Sequence, residues 1–192
     1  MLYEERISMR RRLFHLFLFI SIFFTISRGD TLSFNNHEFF YKIAKEWEIA
    51  QQSEEEGYYT IILKRAPVID KKGIEVIPNI LIKLIKTSGD STSSNDIDMF
   101  TRTCLLYNAP PEVQNDYSAS KKTKLKYQLP ITNSYSFNSP YKDDFNSNHT
   151  CLYLTALDMK KFGIFICIDS TEEVFQKIEN EILEFLKSIS ML

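Results

Sequence analysis

From Ile80 to Ile85 the chain is apolar on both sides of an extended backbone. Ile80, Ile82 and Leu84 share one parity, and Leu81 and Ile85 flank Lys83 on the other. A strand with one face in water alternates apolar and polar residues. One that is apolar on both faces must lie in mid-sheet with cover on each side. The chain must therefore supply neighbouring strands and a layer over each face. Pro78 interrupts the longer run Ile74 to Lys86 and, lacking an N–H, marks a bulge or the point where pairing begins.

The other segments supply those parts. Phe39 to Ala50, broken near Lys45, and Tyr58 to Arg65 read as two strands, with Gln51 to Gly57 as a polar hairpin loop between them. Trp47 reads as a core or sheet-edge anchor. After the Ser-rich stretch Ser88 to Asn95, the residues Ile97, Phe100, Cys104, Leu105 and Tyr107 recur at helical spacing, and Pro110-Pro111 closes that helix. Leu125, Tyr127, Leu129 and Ile131 alternate as a fourth strand, and Cys151 to Leu157 with Phe162 to Asp169 form a last hairpin. Ser170-Thr171-Glu172-Glu173 has the pattern of a capping box, whose Ser170 cap would be worth about 1 kcal/mol. Beyond it, Val174, Ile178, Ile182, Phe185 and Ile189 form one apolar stripe. The expected order is β-β-β-α-β-β-β-α. Short connections make this an α+β fold: a mainly antiparallel sheet of about six strands with two packed amphipathic helices. A chain of 192 residues with 44% hydrophobic composition is large enough to fold around its own core without a metal or disulfide staple.

The N-terminus carries an address. Arg10-Arg11-Arg12 precedes the apolar run Leu13 to Ile26, which as a helix spans about 21 Å against a hydrocarbon core of about 30 Å. That length suits a signal peptide over residues 1–27, and a retained anchor through Leu13 to Ile26 is the alternative. Residues 28–192 then form a single domain, periplasmic or secreted, or tethered to a membrane. Removing residues 1–27 takes away four arginines and two glutamates, so the remainder is more acidic than the whole chain at −2. Such a chain repels polyanions, which argues against a nucleic-acid partner.

The motif inventory argues against catalysis. There is no H-E-x-x-H, G-x-S-x-G, P-loop or G-x-G-x-x-G, so neither a metal nor a nucleotide cofactor is expected. Cys151 and His149 stand two apart on one strand, a spacing that permits a thiol–imidazole pair in a small hydrolase, but the sequence offers no third group to orient it. Asp144, Asn146 and Asn148 open like a calcium loop. His149 then stands where glycine is needed and Thr155 where a bidentate glutamate belongs. Cys151 and Cys167 face each other across the last hairpin in one register and point to opposite faces in the next, so the sequence leaves a disulfide open. The stretch Asn133 to Asn148 reads as a long loop in which Tyr135, Phe137, Tyr141 and Phe145 alternate with Ser, Asn and Asp. Aromatic anchors among adaptable polar groups make these four the expected contacts for a protein partner.

The aromatic run Phe39-Phe40-Tyr41-Lys42-Ile43-Ala44-Lys45-Glu46-Trp47 resembles the opening of the PsbP-like and DcrB-like families. Gly163-Ile164-Phe165-Ile166-Cys167-Ile168, followed by a capped turn and Phe175 through Ile189, is similar to their ending. The likeness spans residues 34–190 in element order, and it departs at Glu46, where those families carry a glycine before the Trp. It implies an exported, non-catalytic domain that binds or helps assemble a partner, and it supplies no catalytic residue.

Overall fold

The computed structural model describes residues 27–34, 37–87, 94–111, 113–114, 117, 126–131, 133–142, 147–157 and 162–191. The arginine cluster and apolar run of the N-terminus lie outside these residues. Among those described, no helix is long and apolar enough to cross a membrane.

The fold is α+β. Its strands are β1 (Ser27–Phe34), β2 (His37–Ala44), β3 (Trp47–Glu55), β4 (Tyr58–Arg65), β5 (Val68–Ile69), β6 (Glu75–Val76), β7 (Asn79–Lys86), β8 (Ser134–Lys142), β9 (Asn148–Leu157), β10 (Phe162–Thr171) and β11 (Ser190–Met191). Among the described residues, the two long helices are α1 (Ser94–Asn108) and α2 (Glu172–Ser188). Six strands form the main sheet in the order β3-β4-β7-β10-β9-β8, with every neighbouring pair antiparallel. A smaller sheet β1-β2-β11 and the ribbon β5-β6 are the other sheets among the described residues.

β7 sits between β4 and β10, the mid-sheet place that its two apolar faces require. Ile80, Ile82 and Leu84 are fully buried, together with Ile61, Ile166 and Leu154 of the neighbouring strands, and α2 covers this face. Phe39, Tyr41 and Ile43 of β2 belong to the same core. On the opposite face Phe165, Tyr153 and Cys151 pack with Cys104 and Leu105 of α1. Each helix thus owns one face of the sheet. A buried contact between Thr101 Oγ1 and Thr155 Oγ1, 2.7 Å long, fixes α1 on β9.

Trp47 is buried, as an anchor should be. Its Nε1 donates to Glu181 Oε2 at 2.9 Å, while Arg65 donates through Nε to Oε2 at 2.9 Å and through Nη2 to Oε1 at 2.8 Å. Trp47 and Arg65 are cross-strand partners, so one carboxylate on α2 clips the start of β3 to the end of β4.

Several expectations need correction. The polar stretch from Gln51 is strand rather than loop: β3 runs to Glu55, and only Glu56-Gly57 turn the chain, with Gly57 at φ +91°. Polarity there marks an outer strand that faces water and resists further pairing. Lys126 to Ile131 has no strand assignment. Tyr127 and Leu129 are buried against the main core, so the alternation is that of an extended segment laid over it. Asn133 to Asn148 contains strand β8 where a loop was expected. Ser170 belongs to β10, and Thr171 occupies the N-cap of α2 with no side-chain cap bond. Glu173 of the supposed box instead accepts from the backbone N–H of Lys71 at 2.9 Å and pairs with Lys177 at 2.8 Å. Finally, Tyr107, placed on the α1 stripe by its spacing, points outward and is 77% exposed.

Candidate functional site: the β8–β9–β10 face

On β8, β9 and β10 the odd-numbered residues project to the α1 side of the sheet. The register sets Tyr141 opposite His149, Ser139 opposite Cys151 and Phe137 opposite Tyr153. One strand further in, Asp169 stands opposite Cys151 and Cys167 opposite Tyr153. Ladder pairing therefore gathers an aromatic row, a polar triangle and two thiols on one face.

The aromatic row is structural. Phe137 is 9% exposed and stacks on Tyr153 at 5.1 Å between centroids. Tyr117 lies tilted against Phe137, also at 5.1 Å, and its hydroxyl donates to Asp98 of α1 at 2.8 Å. Phe137 is thus core, contrary to its expected role as a partner contact. Of the other three expected contacts, Tyr135 is half-buried, Tyr141 is 37% exposed, and Phe145 lies outside the described residues.

Tyr141 ends the row at a polar triangle. Its hydroxyl donates to Asp169 Oδ2 at 2.9 Å, and His149 Nδ1 lies 3.2 Å from both Asp169 Oδ1 and the Tyr141 oxygen. A carboxylate only accepts, so the His149 tautomer that bonds it is the one with its hydrogen on Nδ1. Burial, reinforced by the charge of Asp169, holds the Tyr141 hydroxyl protonated well above the usual phenol range. Asp169 is a partner of His149 that the sequence did not reveal. It lies 20 residues from His149 along the chain, beyond any local spacing rule, and joins the pair only through the ladder of β9 with β10.

Cys151 Sγ and Cys167 Sγ lie 3.0 Å apart beside this triangle. The hydrogen bond with Cys151, and then burial, raise the Cys167 thiol well above its ordinary range. The third thiol, Cys104, is pushed up to about 12 by burial. A nucleophilic cysteine needs a depressed thiol pKa, and Cys167 and Cys104 are shifted the other way. Among the described residues no group of three or more His, Cys, Asp or Glu is placed to hold a metal. Most of the calcium-like stretch, including Asp144 and Asn146, lies outside those residues.

No family model matches this sequence, and no curated protein matches it. Among solved structures the chain is similar to LpqN, described as involved in cell envelope biogenesis of Mycobacterium tuberculosis. The identity is 8% and the TM-score 0.44, over 86% of this chain and 91% of that one.

Proposed function

We propose that the chain is an exported, non-catalytic binding or assembly domain of PsbP-like type, and that its partner is a protein docking along β8. One observation carries this reading. β8 is an outer strand of the main sheet, paired among the described residues with β9 alone, and it presents the exposed ring of Tyr141. An outer strand can take an added strand by main-chain hydrogen bonds, and an aromatic beside it supplies an anchor. The opposite outer strand, β3, is lined by the exposed Glu48, Gln51, Gln52, Glu54 and Glu55, a composition that discourages pairing. Export rests on Arg10-Arg11-Arg12 and the apolar Leu13 to Ile26.

A photo-crosslinking amino acid placed at Tyr141, and separately at Gln52, tests this in the native host. A discrete adduct from position 141 and none from position 52 is the expected result. Equal adducts from both, or none from either, would overturn the reading.

A further inference from the structure

We infer that Cys151 and Cys167 are a disulfide-forming pair that bridges β9 and β10, and that Cys104 is the odd thiol that stays reduced. Three cysteines allow three pairings. The fold brings two of them together: Cys151 and Cys167 lie on adjacent strands, project to one face and have sulfurs 3.0 Å apart. They are not directly opposed. Cys151 faces Asp169 and Cys167 faces Tyr153, so the pair is diagonal, two residues from direct opposition. Diagonal neighbours are about 7–8 Å apart at Cα in a flat pair, beyond the usual reach of a disulfide. Strand twist shortens one of the two diagonals, and the sulfur contact places this pair on the short one. The existing register already sets the two sulfurs in contact, so bridging needs no register change.

The chemistry is thiol–disulfide exchange with a disulfide oxidant such as oxidised glutathione. Cys167 is half-buried and Cys151 is 3% exposed, so the oxidant meets Cys167. The Cys167 thiol, its pKa raised by the bond with Cys151 and by burial, is thiolate in only a small fraction of molecules, so the exchange is slow. That thiolate attacks the oxidant's S–S bond, forms a mixed disulfide and releases one oxidant thiol. Cys151, deprotonated, then attacks the Cys167 sulfur and expels the second. Two protein thiols lose two protons and two electrons, and the oxidant takes up both. Cys104 is buried in the same cluster, but it lies on α1 and has no thiol partner among the described contacts. Bridging in the cell rests on the export reading, because thiols stay reduced in the cytosol. Bridging of the purified protein does not.

The test equilibrates the purified full-length chain in oxidised and reduced glutathione, quenches in acid, unfolds it and alkylates the free thiols. The expected product is lighter by two hydrogen atoms and carries one alkyl group, on Cys104. Cys151→Ser and Cys167→Ser should each abolish the mass loss, and Cys104→Ala should leave it intact. Three alkylated cysteines after oxidation, or a mass loss abolished by Cys104→Ala, would overturn the pairing. The partner reading fails separately, at the crosslink from position 141.

Discussion

Phe100 of α1 occupies the space that a side chain at Gly163 of β10 would need. A Cβ built on Gly163 collides with the Phe100 ring, whose atoms are its nearest neighbours. The glycine is there for close approach of helix to strand, and this sets how deeply α1 seats on the sheet.

Gly163→Ala should therefore destabilise the fold by about 1–3 kcal/mol through overpacking. Pairing it with Phe100→Leu should return part of the loss, because the ring is what the methyl meets. Urea midpoints of the single and double variants check this. A double variant no better than the sum of the two single losses would mean that the contact does not set the helix position.

Ser170→Ala should cost nothing and can raise the urea midpoint. The capping box in the sequence predicts a loss of about 1 kcal/mol, but the Ser170 oxygen is buried with no hydrogen-bond partner. Removing a buried unsatisfied hydroxyl relieves a desolvation cost of about 1–3 kcal/mol. A clear loss of stability on this change would restore the cap.

What the sequence made legible follows from how strongly burial constrains each element. β7 had to be mid-sheet because both its faces are apolar, and α2 was readable because Val174, Ile178, Ile182 and Phe185 repeat on one buried face. β8 was not readable. Its exposed Asn138, Pro140 and Lys142 give it the composition of a loop, since an outer strand has less need of apolar residues. Lys126 to Ile131 misled for the converse reason: any extended segment on a core alternates, with or without a ladder partner. The site was half legible. Cys151 and His149 share a face by parity alone, but Asp169 and Cys167 join them only through a register that local sequence does not encode.

Phe137 and Tyr141 should separate core from surface. Phe137→Ala removes a buried ring stacked on Tyr153 and contacting Tyr117, at a cost of about 3–5 kcal/mol. Tyr141→Phe keeps the ring and loses the hydroxyl's contacts with Asp169 and His149, about 1–2 kcal/mol. If the two urea midpoints shift equally, the division of this face into a structural row and an open end is wrong.

Acid should weaken the clip that joins Trp47, Arg65 and Glu181. Burial alone would raise the Glu181 pKa, but hydrogen bonds from Arg65 and Trp47 outweigh it and hold the carboxyl below its ordinary range. A group whose folded pKa is depressed binds fewer protons folded than unfolded. Its contribution is complete above the unfolded value, about 4.3 for Glu, and is lost as pH falls through the lower folded value. Glu181→Gln keeps the shape and discards the charge, leaving the Arg65 guanidinium without the carboxylate it bonds. Near neutral pH the variant should be less stable by about 1–3 kcal/mol. That gap should narrow as pH falls below about 4, because the wild-type carboxyl is then neutralised as well. Urea midpoints of both proteins, measured across this range, check the sign. A gap of constant size would mean that the carboxylate charge contributes nothing beyond its shape.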